Sequence, residues 1–405
     1  MNLRQKSLAA AVSAAALGIT LASCPAGGGT LSFIGVGAPD TDAERREVIA
    51  SPRATVDGQT VKIGFETILR SANGLFSDRV DHTFDRMPEV AVKNAIGDTT
   101  VTKHYAMGRT ALELAYVMPD HKTAFLTDDG RFTGFFMFIA DQSSDLSAGT
   151  LYAAKWVQTD GAGLGKANLI WINLGHATNG DVASSLTGAG RVKFAELFDA
   201  TIPVANACPA DYTLVVKGHE KTLGNTYAEC LKLKPGMAKL ASRLETRRYA
   251  TLMGATTEPG EFVPKKMYGL IAGTSQANEG NGNTCVLGGI ANPDNLTYLP
   301  GYDTLIIGED TNSHQNDGVW SYDVQSNALT RIETTPYGSE ATSVYWYPNI
   351  NGWGYLMSVV QHPYGESDRL SYLDTLDAND QGIPRDRGYS GYIGPFPALG
   401  RGGDR

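Results

Sequence analysis

The chain is short of charge and short of cysteine. Charged residues make up 19% of its 405 positions, below the quarter usual in globular proteins. Lys and Arg are outnumbered by Asp and Glu, 34 to 43, for a net charge of −9. That balance removes the basic footprint a nucleic-acid backbone needs, so no nucleic-acid partner is expected. Only four cysteines occur, none in C-x-x-C spacing, and H-E-x-x-H is missing. Neither a zinc ribbon nor a zincin is signalled, and no Ser-His-Asp order marks a serine hydrolase. Past the N-terminus no apolar run is long enough to span a bilayer as a helix.

The N-terminus itself is informative. "MNLRQKS" carries Arg4 and Lys6, and "LAAAVSAAALGITLA" follows as an apolar stretch of signal-peptide length,. "LASC" then ends at Cys24. This predicts a signal peptide over 1–23, lipidation of Cys24 and a tether over 24–58. Ordinary signal cleavage nearby, with Cys24 incidental, is the alternative. Export to the periplasm or cell surface, with a lipid anchor in the outer membrane, is the expected location. An oxidising compartment favours a disulfide between Cys208 and Cys230, which flank one polar insertion. Cys285 is then the odd cysteine, read as a buried apolar thiol.

Glycine is plentiful, at 46 residues, which favours strands joined by tight turns. "LIIGEDTNSHQNDGVWSYDV" (305–324) sets a fatty run against a knot of acids and amides. The same outline recurs in 122–141, from Tyr268 and from Gly354. The units that start at Tyr268, Leu305 and Gly354 lie roughly 35 to 50 residues apart, the spacing of propeller blades. Leu305 to Ile307 predicts a strand covered on both sides. The alternation of Trp320, Tyr322 and Val324 with Val319, Ser321 and Asp323 predicts a partner strand exposed on one face. The expected fold is all-β: a β-propeller of about six blades, or an incomplete version, over 59–400. In such a fold the acids at several strand ends would meet at a shared axial site. Residues 157–250 break the pattern. There "VKFAELFDA" (192–200) and "PGMAKLASRLETRRYATLMG" (235–254) read as helices of a disulfide-closed insertion,.

Oxygen-rich strand ends suit hard cations, calcium above all. The candidate ligands are Glu113, Asp128, Asp129, Glu258, Asp294, Asn295, Glu309 and Asp310. Turn chemistry is the competing explanation for "DDG" (128–130) and "NPDN" (292–295). His314 and His362 are read as structural or supporting.

Six segments carry a resemblance: "GRTALE", "FLTDDGRFTGFFMFIAD", "AGTLYAAKW", "ETRRYATLMGATTE", "ANPDNLTYLPGYDTLIIGEDTNSHQND" and "SVVQHPYGESD". Together they resemble the PhoX-type alkaline phosphatase family over roughly 105–157 and 240–397. The resemblance implies a six-bladed propeller, secretion, a cluster of Ca2+ and Fe3+, and hydrolysis of phosphomonoesters. It implies that Glu113 belongs to a G-R-x-x-x-E pattern and Asp128 with Asp129 to a pair of acids. Asp294 and Asn295 match a P-D-N turn, and Glu309 with Asp310 the acidic end of the next strand. The chain departs from the family in lacking a C-E-E-like motif and a long piece between about 75 and 105. Tyr268 also stands where a ligand Glu is expected. In such a site metal ions neutralise the phosphate and activate a water, and a cation adds charge stabilisation. Lys266 and Arg109 are the candidates for that cation. An incomplete ligand set would instead leave a non-catalytic, calcium-binding propeller at the cell surface.

Overall fold

A computed structural model describes residues 29–70, 86–94, 98–110, 112–128, 134–186, 190–216, 228–253, 264–277, 279–364 and 388–398. The signal segment and Cys24 lie outside them. The chain divides into two compact units, one drawn from Asp81–Gly269 and one from Ile19–Val80 with Leu270–Arg405. Five strands belong to the second unit but come first in the chain: β1 (Leu31–Phe33), β2 (Ile49–Ala50), β3 (Arg53–Val56), β4 (Gln59–Lys62) and β5 (Phe65–Arg70).

The first unit opens with the hairpin of β6 (Met87–Val92) and β7 (Thr99–His104). An antiparallel sheet follows, formed by β8 (Leu112–Val117), β9 (Thr123–Asp128), β10 (Phe135–Gln142), β11 (Asp145–Asp160) and β12 (Lys166–Thr178). Its logic is period two. Ala124 and Leu126 face one core with Phe136 and Phe138. Phe125 turns the other way, into a second core with Phe135, Met137 and Trp171. Both faces are covered, which is why "TAFLTD" reads as a continuous apolar run,.

The helical insertion begins later than 157. Val157 pairs with Asn168, and the β11–β12 ladder runs on to Thr178. Thr178 then caps α1 (Asn179–Ala183) through a capping box with Asp181,. The expected helix over 192–200 is a single turn, α2 (Phe194–Leu197). Its remaining residues form β13 (Phe198–Thr201), which joins β14 (Thr213–Val216) and β15 (Ala228–Leu233) in a small sheet. Cross-strand pairing with β15 outweighs helical spacing there. Cys230 on β15 is bonded to Cys208, the pair expected from the sequence. The long expected helix is two, α3 (Ala238–Leu244) and α4 (Thr246–Leu252), parted at Glu245. A short strand, β16 (Lys266–Tyr268), closes the edge of the large sheet against β12.

Arg243 ties α3 to the sheet. It is fully buried. Its Nε donates to the Ala106 carbonyl at 2.6 Å, one terminal nitrogen to the Gly175 carbonyl at 2.6 Å, and the other to Ser242 Oγ at 2.7 Å. Burial, and then the charge of Arg86, pull the guanidinium down to about 9, still protonated at neutral pH.

In the second unit, β17 (Pro293–Leu299), β18 (Thr304–Glu309), β19 (Gly318–Asp323) and β20 (Leu329–Thr334) form a meander that β2 completes. β21 (Glu340–Ile350), β22 (Trp353–Gln361) and β23 (Tyr389–Pro397) form another with β5. Each is an antiparallel run of neighbouring strands, the form of a propeller blade. β19 corrects the expectation of a half-exposed strand. Val319 faces one core with Ile306 and Leu356, while Trp320 and Tyr322 face another with Leu305 and Ile307. Its alternation in polarity reflects two different cores, not water on one side.

Glu333 on β20 is also sealed in, with Ser358 of β22 donating to Oε1 at 3.0 Å and no partner on Oε2. Burial raises its carboxyl from 4.5 to about 8. The folded protein therefore keeps a proton that the unfolded chain releases near 4.5. The associated stability is complete below that pH and is lost as pH rises through about 8. The expected slope is about 1.4 kcal/mol per pH unit in between. Urea midpoints from pH 5 to 9 should show Glu333→Gln flattening this decline. An unchanged slope would mean that Glu333 is not the proton carrier. Arg243→Met should cost roughly 3 kcal/mol or more by the same measurement, because it strands buried carbonyls.

Candidate functional site

In the first unit the acids and arginines meet around the start of α4. Glu245 precedes that helix, and Thr246, Arg247 and Arg248 form its first turn. Arg248 donates to Glu229 Oε1 at 2.8 Å and also to Glu245. The Arg109 backbone N–H donates to Thr246 Oγ1 at 2.9 Å, and its guanidinium lies 3.8 Å from Glu245. Asp128, at the end of β9, is buried. Its Oδ2 accepts from the Gly134 N–H at 3.0 Å and pairs with Arg247 Nε at 2.9 Å.

Arg247 stands at the edge of a cleft of about 320 Å³. Lys155 lines it too, with Phe135, Phe136, Ile172 and Met253 as its apolar wall. Of the residues read from sequence, Asp128 adjoins this cleft through Arg247. Glu113 is exposed on β8 and Lys266 is exposed on the edge strand β16, beside the exposed Tyr268. Lys266 is not among the residues that line the cleft. Asp129 and Glu258 lie outside the described residues. Sequence reading missed Lys155, Glu229, Glu245, Arg247 and Arg248. The "ETRR" run was the available signal, but it reads first as a helix.

In the second unit Asp294, Asn295, Glu309 and Asp310 share one end of the β17–β18 pair, where Pro293 stands opposite Glu309. Asn295 donates to Asp294 at 2.6 Å. Glu309 is wholly buried and takes donors from four directions. These are the Ala291 N–H at 2.7 Å, the Gly318 N–H at 2.8 Å, Trp320 Nε1 at 2.8 Å and His314 Nδ1 at 3.1 Å. His314 Nε2 lies 3.2 Å from the Val286 carbonyl, so the ring ties that loop to the carboxylate. Other side-chain oxygens around it also meet backbone N–H groups. Asp317 accepts from the Thr311 N–H, and Asn283 accepts from the Gln315 N–H. Asn316 donates to the carbonyls of Arg45 and Thr335.

These contacts give the crowded loop of 310–317 a physical cause. A loop at the mouth of a buried strand cannot leave its N–H groups to water, so side-chain oxygens take them. Among the described residues no three His, Cys, Asp or Glu side chains gather as a metal cage.

No family model matches the chain, and no curated protein does. Among solved structures it is similar to Pseudomonas fluorescens PhoX in complex with vanadate, a transition state analogue. The identity is 18% and the TM-score 0.43, over 74% of this chain and 56% of that one. The chain thus spans little more than half the length of that neighbour.

Glu309→Ala strands at least three buried donors and should cost about 4 kcal/mol or more. The loss should be the same in calcium and in chelator when followed by thermal unfolding. A loss that disappears on chelation would instead mark Glu309 as a cation ligand.

Proposed function

We propose that the protein is an exported phosphatase of the PhoX type, held at the cell surface through Cys24 and releasing phosphate from organic phosphomonoesters. The observation that carries this reading is the cleft in which Lys155 and Arg247 stand over an apolar wall. A phosphomonoester has the matching form, a dianionic head on an organic body. Arg247 would meet the head with a fork already oriented by Asp128. Lys155 would add a second charge, and Phe135, Ile172 and Met253 would take the organic part. The ordered motifs shared with the PhoX-type family support the same substrate class.

Ca2+ and Fe3+ are proposed as cofactors on the strength of that resemblance. Glu113, Asp129, Asp294, Asn295 and Asp310 are the ligands it offers, and the oxygen-rich pattern of the sequence adds Glu258. Glu309 and Asp128 fit a metal less well, since protein donors already occupy them. When bound, the metals would supply charge neutralisation and an activated water.

The saturation of Glu309 favours a second reading, a surface protein that binds phosphomonoesters without turning them over. One experiment separates the two. Purified protein, loaded with calcium and iron, is offered a chromogenic phosphomonoester at alkaline pH, with elemental analysis alongside. Turnover in which Lys155→Ala raises KM about tenfold supports the enzyme. Saturable binding of the ester with calcium alone and no product supports the binding protein. Neither binding nor turnover removes both.

A further inference from the structure

The hairpin of β21 and β22 carries no Lys, Arg, Asp or Glu from Ala341 to Gln361. Its inner face is core, where Val344, Trp346 and Leu356 pack with Ile393 and Phe396. Its outer face and turn are bare: Tyr345 is 57% exposed, Trp353 48%, Ile350 45% and Tyr347 40%. The register groups them, with Tyr345 opposite Met357, Tyr347 opposite Tyr355 and Ile350 opposite Trp353,. Tyr392 of β23 extends the patch beyond Met357. The rings brace one another, Tyr345 against Tyr347 at 4.9 Å and Tyr355 against Tyr392 at 5.1 Å between centroids. A contiguous apolar face of this kind marks a contact with something other than water.

The turn is firm, and its backbone is served from within the protein. Asn351 and Gly352 take φ of 53° and 90°, the left-handed pair of a tight hairpin turn,. The Gly352 N–H donates to Asn349 Oδ1 at 2.8 Å, and its carbonyl accepts from the Ala398 N–H at 3.2 Å. The N-terminal side of the chain reaches the same sheet. Gly29 packs beside the ring of Tyr302, where a Cβ would stand 3.0 Å away. Tyr302 meets Trp346 edge-on at 6.3 Å, and Trp346 stands between Tyr345 and Tyr347 in β21. Cys24 precedes Gly29 by five positions, a reach of at most roughly 18 Å.

We propose that this hairpin docks on a phospholipid surface, with Tyr345, Tyr347, Ile350 and Trp353 in the headgroup layer. The proposal rests on the reading of Cys24 as the lipid-modified residue, since so short a tether holds the hairpin beside the bilayer. That proximity favours the bilayer over a second copy of the chain as the occupant. Trp and Tyr suit the headgroup layer because each joins an apolar body to a polar edge. Having no acid, the hairpin is not repelled by anionic lipid, and having no base, it gains nothing from it. The acyl chains supply the affinity, and the hairpin fixes how the second unit stands on the surface.

The probe is a phosphatidylcholine vesicle brominated on the acyl carbons nearest the headgroup, which quenches tryptophan at that depth. The exported full chain is reconstituted in it, and mass spectrometry of Cys24 reads acylation separately. Tryptophan emission should fall. Trp353→Phe should remove most of the fall, and Trp156→Phe, at an exposed position of the first unit, should leave it. Added from solution, the Cys24→Ser chain should bind the same vesicles weakly, and equally with phosphatidylglycerol present. Tyr347→Ser with Ile350→Ser should weaken that binding about tenfold at an unchanged melting temperature. An acylated chain with Trp353 unquenched overturns docking and leaves the anchor standing. Quenching of Trp353 in a chain that carries no acyl group overturns the anchor and supports the docking face. A Cys24→Ser chain that dimerises without vesicles, and is returned to monomer by Trp353→Ser, gives the face to a second copy and overturns the proposal.

Discussion

A carboxylate removed from water has to be met by donors, and the second unit is organised around one that is. Glu309 ends β18 with both oxygens engaged, and its four donors come from separate pieces of chain: the turn before β17, the start of β19, the indole of Trp320 and the ring of His314. His314 carries the tie on to Val286. One ionised group thereby fixes a loop, two strands and a core tryptophan. Charge-assisted bonds of this kind are the strong ones, and losing the shared acceptor would strand every donor together. The order of the neighbouring loop of 310–317 follows, because its own acids and amides repeat the device at smaller scale.

Two other buried charges show different answers to the same constraint. Arg243 keeps its charge and is met by the carbonyl oxygens of Ala106 and Gly175 and the hydroxyl of Ser242. Glu333 has one hydroxyl partner and no cation, so burial drives it toward the neutral acid. The difference lies in supply. Strand ends and helix starts leave carbonyls and N–H groups unpaired, whereas at Glu333 β20 is paired with both β19 and β2, so its backbone is already in ladders,.

The same distinction decides what was legible in the sequence. Leu305 to Ile307 and "TAFLTD" revealed strands buried on both faces, since apolar runs leave no other choice. The Cys208–Cys230 bond was legible in two cysteines that flank one polar insertion. β19 misled, because Ser321 and Asp323 imitate a wet face within a doubly covered strand. The helix over 192–200 misled as well, since α2 and β13 divide a segment whose spacing is helical throughout. Which acids serve the backbone is not written in their spacing at all. Glu309 and Asp128 are candidate ligands in the sequence, and Asp317 belongs to the same oxygen-rich stretch as Glu309. Only the position of an N–H 2.7 to 3.0 Å away assigns each its work.

Asp128 carries that reassignment into function. As a bare acid at a strand end it would attract a cation from solution. Paired with Arg247 Nε at 2.9 Å, it fixes a cation of the protein's own at the rim of a cleft. Its orientation no longer has to be found when a ligand arrives, which lowers the entropy cost of binding. Lys155 on the same cleft raises the local positive charge within a chain whose net charge is −9. Burial of a carboxylate is in this way turned into presentation of an arginine at the cleft.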